Sequence, residues 1–580
     1  MDIRVSYSSR EVTVIKSIMR IMRKTYYPTM CLVLMCLFFI LYVNVCLVSN
    51  VDLSAARYML HMDEMITLDQ VMDIFHSHSF KDIIKNIVGN DQRYGRPLVY
   101  LSSLFALPAW IVGGEQSIII SIRMTQVLAL GIGYYILACS LINSKTLRLL
   151  AFVTMAALPN TAYFSSVPKP EPFQMLFLSL FFWFFFKKKR ILGCSWILLG
   201  IAYGMKISIL PLIPVLFVFV WCSLSLVHWK SRFLVLLVNS APYFVLGFFL
   251  AVPCIIYKSN GWAEYLQSTF FGLGHGSDSD QINFFSWAGY VLNGSFSYSR
   301  TSSALIIIGI FLLMVIVLIS AIKTFIKNRR RGMTFVLGLI VESLYASGLV
   351  VLLCGLILVL SVMLNVKRLS GWGYYIHVGQ CLIFVGVFSI AEYLMREQKL
   401  LYRNAAIVVV LGIAANLTWA LPEALRKHKV WASRTSKQEF VLGNIIYKQV
   451  ETMTKQDAAR VGRRIRVGID PLLFNPSNDE TRQFFRYWGE FDQWNAEYDT
   501  VIAQNCKIFK QKDSTASASC NYHESVLDHL SVGVQGSCKS RPCYVPREVG
   551  VESIVYLVRQ DSQPLVHDLE KHEFSPSSGK

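Results

Sequence analysis

Residues 30–48 read MCLVLMCLFFILYVNVCLV, nineteen positions with no charged side chain. At about 1.5 Å of rise per residue a helix of that length covers roughly 30 Å, the thickness of a bilayer's hydrocarbon core. Arg4, Arg10, Lys16, Arg20, Arg23 and Lys24 precede it, and no small-x-small cleavage site follows. The run is expected to be an uncleaved signal anchor with its N-terminal side in the cytoplasm. Residues 12–24 read as a basic amphipathic helix on the inner surface.

Working outward, the same pattern recurs along the chain. Apolar runs fall at 117–142, 149–166, 173–186, on both sides of Lys206, at 233–256, after Thr301, at 348–364, 372–393 and 405–421. With the first run they predict a polytopic α-helical membrane protein of about eleven spans. Residues 98–112 are short for a crossing and are bounded by Arg96-Pro97 and Gly113-Gly114, so an interfacial helix is expected there. Residues 333–346 are expected at the inner interface. Composition agrees: of 580 residues 54% are hydrophobic and 16% charged, with a mean hydropathy of +0.45, where a soluble domain carries roughly a quarter charged residues.

The formal charge of +19 is not a nucleic-acid signal. The basic residues gather in short loops such as Lys145–Arg148, Lys187–Arg190, Lys230–Arg232 and Lys327–Arg331, which is the bias of cytoplasmic loops. The organisation that follows is a cytoplasmic segment 1–29, a membrane domain 30–421 with external loops 50–116 and 257–301, and an extracytoplasmic soluble domain 422–580. That last domain is expected to be α/β, with strands at 465–469, 501–503 and 554–558 and a helical stretch at 480–490. Nine of the thirteen cysteines lie in apolar segments. The other four, Cys506, Cys520, Cys538 and Cys543, suit two disulfides in an external domain. They lack a CxxC pair, which disfavours zinc. The expected location is a multi-pass position in a bacterial inner membrane or the endoplasmic reticulum membrane.

Candidate chemistry concentrates at the outer side. Asp63-Glu64 follow the first span, where a carboxylate could take the proton of an attacking hydroxyl; acidic pairs are also ordinary in solvated loops. Pro168-Lys169-Pro170-Glu171-Pro172 is a stiffened turn that would hold a cation for phosphate and a carboxylate for a sugar hydroxyl, or serve only as a helix connector. Arg123, Lys206, Lys367 and Arg368, the last two followed by Tyr374, Tyr375 and His377, place charge near membrane depth, where ionisable groups default to function. His275 sits in a glycine-rich loop, Phe271 to Gly276, and Asn293-Gly294-Ser295 forms a glycosylation sequon. No metal constellation is visible: no cofactor is required by the pattern, and a divalent metal is not indicated.

In their order along the chain these motifs resemble the GT-C membrane glycosyltransferases, nearest the protein O-mannosyltransferase and lipid A aminoarabinose transferase group. The likeness covers roughly residues 30–420. It rests on Asp63-Glu64, on Tyr94-Gly95-Arg96-Pro97-Leu98 opening a helix, on Arg123, on the Gly-x-x-x-Gly-Met-Lys stretch from Gly200 to Lys206, and on the basic-then-tyrosine segment from Lys367 to Tyr375. His61-x-Asp63-Glu64 also resembles the loop of GPI- and dolichol-pathway mannosyltransferases, whereas the Trp-Trp-Asp motif of oligosaccharyltransferases is missing.

The resemblance implies a polyprenyl-phosphate sugar donor, inversion by direct displacement, and a glycan, lipid or protein acceptor. It implies Asp63 as base, Glu64 and Glu171 as positioning groups, and Arg96, Arg123, Lys169, Lys206, Lys367, Arg368, Tyr375 and His275 around the donor. Two rivals stand beside it, a polysaccharide polymerase or ligase acting on lipid-linked glycans, and a transporter.

Overall fold

The computed structural model describes residues 30–46, 62–89, 95–188, 192–223, 229–256, 300–328, 348–365, 373–396, 400–433, 437–469, 480–486, 498–504, 544–547 and 554–559. By internal contacts the chain divides into two compact units, Met1–Leu47 with Ile66–Ala432, and Val48–Met65 with Ser433–Lys580. The expectations for residues 12–24 and 333–346, the sequon, the four tail cysteines, His275, Lys367 and Arg368 fall outside the described residues.

The first unit is helical. Its described helices are α1 (Met30–Cys46), α2 (Met62–Phe75, shared at its start with the second unit), α3 (Phe80–Val88), α4 (Pro97–Leu141), α5 (Lys145–Ala156), α6 (Pro159–Ser166), α7 (Glu171–Phe182), α8 (Ser195–Met205), α9 (Leu212–Ser223), α10 (Trp229–Ala251), α11 (Arg300–Asn328), α12 (Leu349–Asn365), α13 (His377–Arg396) and α14 (Leu400–Ser433). Among the described residues four helical segments are long and apolar enough to cross a bilayer, and five if α5 and α6 form one bent span; shorter apolar helices include α1 and α8.

Side-chain exposure separates the centre from the lipid face. Helix α13 is buried on nearly every side. In contrast α10 turns Leu234, Leu237, Val238 and Leu250 outward, and α14 turns out Val408 and Leu411. Apolar faces of that extent are costly in water and natural in hydrocarbon. The chain is a helical membrane protein.

Two departures from the sequence expectation have local causes. Residues 98–112 do not form a separate helix: α4 runs unbroken from Pro97 to Leu141. Gly113-Gly114 weakens a helix by about 1 kcal/mol per glycine but removes no hydrogen bond, and the Ser117 hydroxyl donates to Gly113 O at 3.1 Å. Conversely, the run 149–166 is not one helix: α5 and α6 meet at 62°. Pro159 has no N–H and pushes Leu158 into an extended conformation, φ −65° and ψ 141°. The carbonyls freed there are taken up by side chains, Ala156 O by the Tyr42 hydroxyl and Met155 O by Thr161 Oγ1 at 2.8 Å.

Where helices cross most closely, glycines stand at the contact. A Cβ on Gly200 of α8 would strike Phe244 O of α10, one on Gly247 of α10 would strike Ile197 O, and one on Gly204 would strike Ala251 Cβ. Between α12 and α13 the backbones of Gly355 and Gly379 face each other in the same way. Small residues let backbones approach in a bilayer, where dispersion contact drives association.

The corner after α4 is fixed by an acid absent from the sequence candidates. Glu392, buried in α13, accepts from Asn143 N at 2.7 Å and Ser144 N at 2.9 Å, and from Arg396 at 2.6 Å. It thereby serves the backbone donors at the start of α5.

In the second unit, α15 (Lys437–Val461) precedes five described strands, β1 (Ile465–Ile469), β2 (Arg482–Arg486), β3 (Thr500–Gln504), β4 (Tyr544–Arg547) and β5 (Ile554–Arg559). The sheet order is β2-β1-β3-β5-β4; β1 is parallel to β2 and β3, and β5 is antiparallel to β3 and β4. Val450, Ala458 and Val461 of α15 pack on Ile465, Val467, Phe484 and Ile502. The helix expected at 480–490 is instead strand β2, whose Phe484 enters that core. Pairing with β1 outweighs a weak local preference. Asp499 accepts both Arg463 guanidinium nitrogens, at 2.6 and 3.0 Å, and Arg466 N at 2.9 Å. The last helix of the first unit also runs through Pro422 to Ser433, a dozen residues past the expected end of the membrane domain.

Candidate active site

The helix carrying Lys206 stops because the next residue does not continue it. Lys206 is extended, φ −162° and ψ 132°, between α8 and a 3-10 turn at Ile207–Ile209. The carbonyls released by that break are satisfied by Gln174 of α7, whose Nε2 donates to Ala202 O at 3.0 Å and Lys206 O at 2.7 Å. Gly95 N–H donates to Met205 O at 3.1 Å. A side chain on Gly95 would collide with Met205 and Gly204, so this glycine is required by close approach.

The Lys206 side chain returns into the helices and pairs with Glu171, the pair being 5% and 2% exposed. Its ammonium lies 3.7 Å from the centre of the Tyr375 ring, a cation–π contact in a desolvated place. Glu171 Oε1 holds Lys206, while Glu171 Oε2 is buried with no hydrogen-bond partner among the described residues. Three segments remote in sequence thus converge. The proline turn positions Glu171 at the first turn of α7, with Pro172 beside it at a position that needs no N–H donor. The break after α8 positions Lys206, and the 3-10 turn Gly373–Ile376 before α13 positions Tyr375.

Lys169 is buried beside this group, its backbone N–H directed at Gln126 Oε1 at 3.5 Å. Gln126 Nε2 is another buried polar atom without a partner among the described residues. Two residues on from Tyr375, His377 Nε2 meets the Tyr134 hydroxyl at 2.6 Å, and that hydroxyl meets Thr161 Oγ1 at 2.8 Å. Asn160 donates to Gln380 at 3.3 Å. A largely buried set of polar contacts therefore joins α4, the kink between α5 and α6, and α13.

Not every sequence candidate enters this group. Arg96 is buried, but its guanidinium closes the end of α3, donating from Nε to Ile87 O at 2.8 Å, from Nη1 to Gln70 at 3.1 Å, and from Nη2 to Asn86 O. Arg123, also buried, donates to Cys46 O at 3.1 Å, where a cation complements the C-terminal end of α1. Both arginines are thus engaged with backbone carbonyls. Asp63 lies in the first turn of α2, its side chain outside the described residues, and Glu64 is buried; both belong to the second unit. Among the described residues no group of three or more His, Cys, Asp or Glu side chains could hold a metal ion.

Sequence reasoning missed Gln126, Gln174, Tyr134 and Thr161. One signal was available: glutamine in an apolar run, as in the Phe173-Gln174-Met175 stretch, is expensive in a membrane unless it has a partner.

No family profile matches this chain, and no curated protein matches it in sequence. It is similar in structure to ArnT from Cupriavidus metallidurans in the apo state, with a TM-score of 0.41 and 12% identity over 92% of this chain and 98% of that one. It is also similar to the structure of that protein bound to undecaprenyl phosphate, with a TM-score of 0.37 and 12% identity over 93% and 99% of the two chains. Likeness at this level speaks to neither substrate nor chemistry, and these are argued from the buried residues.

Proposed function

We propose that this protein is an integral membrane glycosyltransferase of the GT-C type, moving a sugar from a polyprenyl-phosphate donor to an acceptor hydroxyl at the extracytoplasmic face. One observation carries the reading: Glu171 and Lys206, both buried, and the half-buried Tyr375, each singled out from a different stretch of sequence, meet at a helix break. A lysine held at membrane depth suits a lipid-linked phosphate, and its charge offsets the negative charge that builds on a departing phosphate. The open Glu171 Oε2 is an acceptor for a sugar hydroxyl.

In the reaction the acceptor oxygen bonds to the anomeric carbon as the bond from that carbon to the phosphate oxygen breaks. The phosphate leaves with the electron pair, the configuration inverts, and the acceptor's proton passes to a carboxylate. Asp63 is assigned that base and Glu64 the positioning of the acceptor, on the motif resemblance. Lys169 joins Lys206 at the donor, as do Lys367 and Arg368 by the same resemblance. About eleven spans with the soluble unit outside complete the arrangement.

The test is sugar transfer in membranes from a panel of radiolabelled polyprenyl-phosphate sugars. Wild type should transfer one of them. Asp63→Asn should abolish transfer with membrane insertion intact, and Lys206→Gln should lower it by roughly 10²- to 10³-fold. The double variant Glu171→Gln with Lys206→Gln removes both buried charges and checks that loss of transfer is not loss of folding. Wild-type activity in Lys206→Gln would overturn the assignment of the cluster.

A transporter reading is favoured by one observation, the kink between α5 and α6 beside the buried Tyr134–Thr161–His377 network, since broken helices commonly line translocation sites. Failure of transfer with every donor, together with solute uptake into proteoliposomes, would select it.

A further inference from the structure

The first residue of α13 is tied to two other parts of the fold. Gly373–Ile376 form the 3-10 turn that carries Tyr375, and His377 follows at the start of the helix. His377 is fully buried, and a polar side chain in that setting needs a partner. Its described polar contacts are all at Nε2: the Tyr134 hydroxyl of α4 at 2.6 Å, and more weakly Cys381 Sγ at 3.7 Å. Nδ1 has no hydrogen-bond partner among the described residues. Phe164 of α6 leans on the ring, with centroids 5.1 Å apart and planes at 54°.

Counting hydrogens gives these contacts a direction. Thr161 Oγ1 donates its one hydrogen to Met155 O at 2.8 Å, so toward Tyr134, 2.8 Å away, it accepts. That uses the Tyr134 hydrogen, and the Tyr134 oxygen is left to accept from His377 Nε2. The chain runs one way, from His377 through Tyr134 and Thr161 to a carbonyl freed at the Pro159 kink. A carbonyl has no hydrogen to give, so the order cannot be reversed without leaving one contact unmade.

The two ends of this chain lie beside the two sides of the Lys206 group. His377 is two residues from Tyr375. Thr161 stands in the first turn of α6, which ends at Ser166 and leads into the proline turn holding Lys169 and Glu171. Helix α6 also packs against the 3-10 turn itself. A 3-10 turn has poor hydrogen-bond geometry of its own, so its placement depends on what it is attached to. We infer that His377 is a positioning residue: acting through Tyr134 and Thr161 it fixes the Tyr375 turn against α6, and so holds the Tyr375 ring over the Lys206 ammonium, 3.7 Å from the ring centre. That attraction requires the cation over the ring face, so a turn released from its anchor loses it. The role in transfer rests on the reading of this group as the donor site; the role in placing the ring does not.

The test reads the ring and the reaction separately, in full-length protein in nanodiscs. With 3-fluorotyrosine in place of Tyr375, the fluorine NMR shift senses the ammonium beside the ring, and Lys206→Gln gives the value without it. His377→Leu should move the shift most of the way to that value. His377→Gln, which keeps an N–H donor at similar reach, should leave it near wild type. In transfer assays on unlabelled protein, His377→Leu should lose roughly tenfold in kcat/KM. Added to Tyr375→Leu it should cost little more, because both changes remove the same contact. An unchanged fluorine shift in His377→Leu, or a fully multiplicative loss in the double variant, would overturn the positioning role. Absence of transfer by wild type from every donor would remove the glycosyltransferase reading, and the fluorine shift would then decide the placement of the ring by itself. Tyr134→Phe cuts the same chain at its next link, carries the same expected shift, and takes the place of His377→Leu if that variant does not elute as wild type does.

Discussion

Lys206 and Glu171 are each other's reason for being tolerated. A charge at this depth is costly alone, and breaking such a pair from one side costs about 3–5 kcal/mol because the remaining charge is left without compensation. Glu171→Gln should therefore lower thermal stability in detergent more than the double variant with Lys206→Gln does. Tyr375 adds a cation–π contact of up to about 2 kcal/mol. Tyr375→Phe should keep most of the transfer activity and Tyr375→Leu should lose roughly tenfold in kcat/KM, a split that isolates the ring face from the hydroxyl. Tyr134 tests the second network. Its hydroxyl is shared by His377 and Thr161, so Tyr134→Phe leaves buried polar groups short of a partner at a cost of about 1–3 kcal/mol, readable as a lowered unfolding midpoint. The residue types of the Lys206 cluster were legible in the sequence, because a lysine and a glutamate next to apolar runs call for a reason. Their glutamine partners were less so, since an amide announces no partner by itself.

At the level of elements, the site depends on where helices stop and how closely they cross. The Gly200-x-x-x-Gly204 spacing brings α8 against α10, and this crossing sets where the α8 terminus, and with it Lys206, emerges. Gly200→Val would force its side chain into Phe244 O. Overpacking of this kind costs about 1–3 kcal/mol, and the displaced α8 end should reduce transfer well beyond what the lost stability explains. A paired measurement of unfolding midpoint and transfer rate separates the two effects. Apolar runs located most of these helices to within a few residues. They did not reveal that α4 continues through two glycines, that α5 and α6 bend at Pro159, or that residues 482–486 are a strand. Each outcome was decided by partners outside the segment: Tyr42 and Thr161 at the kink, and Ile465–Ile469 beside β2.

For the whole molecule, the distribution of lysine and arginine is the basis of the proposed orientation, in which an odd number of crossings is expected to leave the C-terminus outside. A phosphatase or fluorescent reporter fused at the C-terminus should report an extracytoplasmic position, and one inserted in the Lys145–Arg148 corner a cytoplasmic one. A cytoplasmic reading at the C-terminus would mean that one expected span does not cross. What the sequence by itself determined is the class of protein: a bilayer excludes unsatisfied backbone and scattered charge, so long uncharged runs separated by basic loops allow few other readings. What only the tertiary structure decided is which groups each charge packs against. Arg96 and Arg123, expected around the donor, donate to helix-end carbonyls, while Glu171, Lys206 and the half-buried Tyr375, separated by up to some two hundred positions, meet in one place. Hydropathy is a property of single segments and can be summed along the chain. The company a charged group keeps is a property of packing, fixed only when separate helices have stopped, kinked and crossed.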